Sequence, residues 1–306
     1  MALRPIDGSV RGEWYGRITY REYPPVPLPT DDVRGRGGAV ARPRPAPSAG
    51  AASIPGVFGS GPAIIGHRGL GCGVVSGHRE NTLGSFTAAV ELGVDWVEVD
   101  VRRTGDDTLV VAHDETLADG TRLAVLTGEE ADRRGALLLR TLLDELPSGV
   151  GVNLDLKSSI DDCLRPPGRT TAGLLAPVVA AEAGRRPVIV SSFDPAALHL
   201  LRRAAPHVPL AWLTWYGFPL EAAVAGCAHM DVDVLALQVG SLRGKQGGSV
   251  ERSVVERVLS LVHESGRQLL VWCPEAGAAR VLAETGADAL VVDQVPHALG
   301  NLASVR

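Results

Sequence analysis

The chain has 306 residues and is short of several things, each of which removes a class of protein. No run approaches the roughly 18–20 consecutive apolar residues of a membrane-spanning helix, so no transmembrane segment is expected. The opening MALRPIDGSV lacks a basic stretch followed by an apolar one. No secretory signal is read there, and a cytoplasmic location is expected. Positive charge is also scarce: 30 Lys and Arg stand against 35 Asp and Glu, a net charge of −5. A broad basic field for nucleic acid is therefore excluded. The cysteines, Cys72, Cys163, Cys227 and Cys273, are far apart with no C-x-x-C. A thiolate zinc site is not suggested, and reduced thiols are the expectation.

Glycine is plentiful, at 36, and hydrophobic residues make up 45%. That suffices for one large core and many short turns, with length left over. Residues 1–60 read as an N-terminal extension. WYGRITYREY suits a strand or hairpin arm, and the Pro/Gly/Ala-rich stretch after it suits a linker. Arg34, Arg36, Arg42 and Arg44 fall in that linker and read as solvated.

From residue 62 apolar runs alternate with helical stretches. Strands are expected at 63–67, 96–101, 108–113, 150–156, 187–192, 209–214, 233–238, 268–273 and 288–292. Helices are expected at 81–92, 171–184, 195–205, 219–228, 250–265 and 276–285. Asn81-Thr82 and Pro195 read as helix starts, Gly266 and Gly286 as stops. Such alternation implies an α/β fold with a parallel sheet, most simply a (β/α)8 TIM barrel over residues 61–306. Two features resist. Nine strands compete for eight places, and residues 102–107 are too few for a helix, so spacing alone suggests a hairpin.

The chemistry gathers at strand ends. Glu98 and Asp100 are two apart on one strand and project to the same face, as do Asp155 and Lys157. Acids on one strand face repel and lose hydration unless a cation offsets both costs. Glu98, Asp100 and Asp155 therefore form an expected site for a hard divalent metal, Mg²⁺ or Ca²⁺. His67 and His113 end two other runs and suit general acid–base work near neutral pH. Arg68 and Lys157 can face phosphate oxygens, and Trp272 can wall an alcohol. Asp114 is expected in a supporting role, since adjacent strand residues face opposite ways. The other histidines (His78, His199, His207, His229, His263 and His297) lack acid companions in the sequence pattern. Gly69, Gly71 and Gly73 have the wrong spacing for a dinucleotide loop.

His67-Arg68-Gly69, Glu80-Asn81-Thr82, Ser85-Phe86, Glu98-Val99-Asp100-Val101, Thr104-Gly105-Asp106 and Val110-Val111-Ala112-His113-Asp114 occur in that order. Asp155-Leu156-Lys157, Ser191-Ser192-Phe193-Asp194, Trp272, Asp293 and Pro296 follow. Over roughly residues 62–300 the chain resembles the glycerophosphodiester phosphodiesterase family. The resemblance implies metal-dependent hydrolysis of small glycerophosphodiesters to an alcohol and glycerol 3-phosphate, and it tolerates a helix-free second connection. It makes Glu80 and Asn81 part of the site's frame. Asp155 departs from the family's common glutamate by one methylene. A related lyase of the sphingomyelinase D or phosphatidylinositol phospholipase C type would instead stop at a cyclic phosphate. Those secreted enzymes carry a disulfide-tied loop after the second histidine, and no cysteine lies between His113 and Cys163. A non-catalytic phospholipid-headgroup binder is the third reading, against which the full set of two histidines and three acids argues.

Overall fold

The structure, a computed structural model, describes residues 56–59, 61–243 and 248–305. The expected N-terminal arm, most of the linker and its arginine cluster lie outside the described residues. Eight strands are the staves of a barrel: Ala63–Gly66, Trp96–Arg103, Gly151–Leu156, Val188–Ser192, Leu210–Thr214, Val234–Gln238, Gln268–Trp272 and Ala289–Val292. Successive strands pair in parallel. The first pairs with both the eighth and the second, which closes the sheet. Helices wrap the outside, so the fold is the expected (β/α)8 TIM barrel.

Each strand is buried on both faces, which explains the near-continuous apolar runs. Val97, Val99 and Val101 point outward and pack with Val152, Leu154 and Val190 under the helices. Ile65, Trp96, Ile189, Leu213, Ala236, Leu270 and Val291 fill the interior. Helix signals act where the sequence placed them. Thr82 caps Leu83–Glu91 by accepting from the Ser85 amide. Pro195 opens Pro195–Ala204, and Gly286 ends Ala276–Thr285 in a left-handed conformation.

The barrel floor begins earlier than expected. Phe58 is only 1% exposed and meets Trp96 edge-on, with ring centroids 5.4 Å apart. Its amide donates to Gln268 Oε1 at 3.1 Å, and its carbonyl accepts from Gln268 Nε2 at 3.3 Å. Barrel packing therefore reaches back past the boundary drawn at residue 61.

The surplus strand is also accounted for. Leu109–Val111 is not a stave; it runs antiparallel to the end of Trp96–Arg103, with Val101 opposite Val111. The hairpin suggested by the short 102–107 spacing is what forms. It starts an excursion, residues 104–138, containing a turn at Leu123–Val125 and the helix Gly128–Arg133. Val110, Leu123, Leu126, Ala131 and Ala136 give the excursion a small core of its own.

Candidate active site

In a closed parallel barrel the C-terminal ends of all strands meet at one mouth. His67 follows the first strand, Glu98 and Asp100 lie on the second and Asp155 on the third. Asp100 and Asp155 are register partners, so two acids stand side by side. Glu98, Asp100 and Asp155 each present a carboxylate oxygen, and the three oxygens lie within 4.8 Å of one another. All three residues are buried.

Three buried acids in such a space need countercharge. Lys157 supplies some: its ammonium contacts Asp155 and lies 3.0 Å from Asp100 Oδ1. Arg68 supplies more, with Nε 3.2 Å from Asp100 Oδ2 and a terminal nitrogen 2.9 Å from Glu80. Burial opposes the Asp100 carboxylate, but Lys157 and Arg68 outweigh it and hold its pKa below the usual range. Glu98 fares differently: burial, with Asp100 alongside, pushes its carboxyl up to about 8. Burial also raises Asp155, against the pull of Lys157. The unequal behaviour of adjacent acids follows from where the two cations point.

The donor set fits a divalent cation. Among the described residues Glu98 Oε1 and Asp155 Oδ1 are buried without a hydrogen-bond partner, and Asp100 Oδ1 meets only the Lys157 ammonium. A hard ion takes such oxygens as ligands. His67, Cys273 and Asp293 form a second trio of possible ligands. Its nitrogen and sulfur donors suit softer metals, and His67 Nδ1 is already engaged by Asp293 at 2.5 Å.

That contact directs the ring. With Nδ1 on Asp293, His67 turns Nε2 toward Glu98, 3.8 Å from Oε2. Burial disfavours the imidazolium, but Asp293, Cys273 and Glu98 more than offset it, so the ring holds its proton well above the ordinary histidine range. His113 is less enclosed, and its side chain is 42% exposed. It lies past the end of Leu109–Val111, so the strand rule that would turn Asp114 away does not apply. Asp114 Oδ1 instead lies 2.8 Å from His113 Nδ1.

Backbone strain marks the rim. Arg68, Asn81 and Cys273 have φ of 54°, 55° and 54°. Non-glycine residues reach this left-handed region only when surroundings demand it. Here the Arg68 amide donates to Glu98 at 2.9 Å, and Asn81 Nδ2 donates to Asp100 at 2.8 Å. Glu80, through Arg68, and Asn81 are thus placed to frame the acids. Gly71 passes so close to the Asp293 carbonyl that a Cβ would lie 1.8 Å from its oxygen.

Trp272 ends the seventh strand and stands edge-on to Phe193 and Trp215, at 5.9 and 5.6 Å. Phe193 and Trp215 stack at 4.5 Å, and the Lys157 ammonium sits 5.9 Å from the Phe193 centroid. An aromatic wall therefore runs outward from the acids. Trp272 Nε1 is buried without a partner among the described residues.

Sequence reasoning missed several neighbours. Asp293 was noted only as part of a resemblance, though its place after the last strand was a signal: Val292 is the register partner of Gly66, which precedes His67. Arg102, whose Nε donates to the His113 carbonyl at 2.7 Å, had no signal in the sequence. His263 does have an acid companion, Asp288 at 2.8 Å. Asp288 also accepts from the Leu269 amide at the opposite end of the barrel, so this pair braces the floor. No helix among the described residues is long and apolar enough to cross a membrane.

Comparison with known proteins places this geometry. A protein of Mycobacterium tuberculosis named "Probable glycerophosphodiester phosphodiesterase 2" is 30% identical over 237 residues, covering 70% of this chain and 81% of its own. The Arabidopsis thaliana glycerophosphodiester phosphodiesterase GDPD2 is 28% identical over 200 residues. That match covers 50% of this chain, which spans only about half (53%) of the Arabidopsis protein. A phosphodiesterase of Oleispira antarctica, solved with the product sn-glycerol-3-phosphate, shares the fold with a TM-score of 0.64 at 23% identity. The superposition covers 79% of this chain and 97% of that one. The model of the Glycerophosphoryl diester phosphodiesterase family matches residues 67–297, from the first histidine of the mouth to the last helix, and the chain belongs to that family.

Proposed function

We propose that this chain hydrolyses glycerophosphodiesters to an alcohol and glycerol 3-phosphate, using Mg²⁺ or Ca²⁺ held by Glu98, Asp100 and Asp155. The observation that carries the reading is the trio of buried acids beside His67 at one barrel mouth, with Glu98 Oε1 and Asp155 Oδ1 lacking a hydrogen-bond partner among the described residues. A cation bound there would neutralise the acids and polarise the phosphoryl group. Asp155 reaches less far than a glutamate would, yet its free Oδ1 is buried with the others.

The side chains divide the remaining work. In-line displacement at phosphorus needs one group to take a proton from the attacking hydroxyl and another to protonate the leaving alkoxide. His67 and His113 are the pair. Each has Nδ1 engaged by an aspartate, Asp293 or Asp114, which leaves Nε2 to exchange the proton. Arg68 and Lys157 offset charge on the phosphate oxygens. Trp272 lines the path of the alcohol, at the inner end of the aromatic wall.

Phosphorus NMR of a turnover panel tests the proposal: glycerophosphocholine, -ethanolamine, -glycerol and -inositol, each with added Mg²⁺ or Ca²⁺. Glycerol 3-phosphate is the expected product. Accumulated cyclic phosphate would replace hydrolysis with the lyase reading. No turnover of any diester would leave only a headgroup-binding barrel.

A further inference from the structure

The two histidines are held in different ways. His67 is the more enclosed, its side chain 15% exposed, with Nδ1 held 2.5 Å from the Asp293 carboxylate. Among the described residues the His113 ring is hydrogen-bonded by Asp114 alone, and the side chains of that pair are 42% and 76% exposed. An exposed pair of this kind contributes little and does not fix a geometry. Acid–base chemistry nevertheless needs a fixed ring, since a displacement of about 1 Å can cost roughly 100-fold in rate. The constraint has to act through the main chain.

Arg102 supplies one. It follows Asp100 by two residues on the second barrel strand, so it points to the same face as the acids. Its Nε donates to the His113 carbonyl at 2.7 Å. Its guanidinium also lies 3.7 Å from Glu115, two residues beyond the histidine. Glu115 in turn lies 3.9 Å from Arg122, and Arg122 is 3.1 Å from Asp161 in the turn Ile160–Leu164 after the third strand. On the near side the Ala112 amide donates to the Asp100 carbonyl at 3.1 Å. His113 is thus bracketed by anchors to the strand that carries Glu98 and Asp100.

We propose that Arg102 is a positioning residue: its guanidinium clamps the main chain at His113 and so sets where the second imidazole stands relative to the acids. The inference rests on the reading of His113 as an acid–base group. Arg102 contacts no reacting atom in this account; it acts through the histidine's carbonyl. Lysine cannot replace it, because an ammonium lacks the in-line Nε–H and the planar fork that spans the carbonyl and Glu115 together.

The test measures kcat and KM on glycerophosphocholine for Arg102→Met and Arg102→Lys, alone and combined with His113→Ala. For Arg102→Met a fall in kcat of roughly 10- to 100-fold is expected, with KM within about threefold, from loss of alignment. Added guanidinium ion should restore part of that kcat, and Arg102→Lys should also be impaired. In the His113→Ala background Arg102→Met should change kcat less than about twofold, since nothing is left to position. A fully multiplicative loss there would mean a general structural role and would overturn the proposal. So would a raised KM with unchanged kcat, the mark of direct phosphate binding. If Arg102→Met fails to fold by circular dichroism, Arg102→Lys decides between the same outcomes. His113→Ala alone separates the two ideas. Normal kcat in that variant refutes the reading of the histidine, whereas a dead His113→Ala with an unimpaired Arg102→Met refutes only the clamp.

Discussion

Shortening the chain from its N-terminus should have two very different effects, depending on which side of Phe58 the cut falls. Phe58 is 1% exposed at the base of the barrel, edge-on to Trp96, and its backbone exchanges two hydrogen bonds with Gln268. Removing a buried phenyl ring generally costs about 3–5 kcal/mol. In a domain of this size each kcal/mol moves the melting midpoint about 2–4 °C, so Phe58→Ala should lower Tm by roughly 6–20 °C. A chain beginning at Gly59 should lose at least as much, because the hydrogen bonds to Gln268 go with the ring. A chain beginning at Gly56 keeps all of these contacts and should melt near the full-length value. Calorimetry on the four proteins measures this directly. If Phe58→Ala or the Gly59 form melts within 2 °C of the full-length chain, Phe58 is not part of the barrel's cooperative unit.

Three further outcomes are expected. Asp155→Asn should weaken activating-metal affinity because it removes charge at nearly constant shape, while Asp155→Glu should be tolerated; equal metal dependence for wild type and Asp155→Asn would strike Asp155 from the ligand set. His67→Ala and His113→Ala should each lower kcat by about 10²–10⁴-fold, with the double variant far from multiplicative if the two act as a unit. A single variant with near-normal kcat would remove that histidine from the mechanism. Glu98, with its carboxyl raised to about 8, carries a proton at pH 7 that a cation must displace. Cation affinity should then rise up to about tenfold per pH unit below 8 and level off above it, and calorimetry in buffers of different ionisation heat should find about one proton released at pH 7. For the cation-free protein the sign is opposite. An acid whose pKa is raised on folding from 4.5 loses stability as pH climbs toward 8, so Tm should fall over that interval.

How far the sequence could be read depended on how each element is stabilised. The staves were legible because burial on both faces forces apolar runs, and each of the eight lies within a residue or two of its expected place. The acids were legible because carboxylates are costly on a buried strand without a cation. Gly128–Arg133 and Leu139–Glu145 were not, since helices of 6 and 7 residues carry too few turns to show a period. Val295–Leu302 was hidden by Pro296 and Gly300 inside it. Phe58 was hidden by its neighbours, which read as linker, although one aromatic ring there plugs the floor. Arg102 was beyond any pattern: its role depends on a long side chain meeting one carbonyl across a hairpin.

The excursion at residues 104–138 closes around Val110, Leu123, Leu126, Ala131 and Ala136 rather than around the barrel's interior. Its composition therefore answers to a separate set of packing constraints. The candidate cation ligands have no such freedom, because each sits on a stave whose neighbours on both sides are fixed by register. In an evolving lineage the two halves of the mouth should drift at different rates. Changes among those five core residues can accumulate without refitting eight strands, as long as the anchors at Ala112 and His113 are kept. The points where the excursion shares the barrel's constraint are the two main-chain contacts to the second stave, at Ala112 and His113.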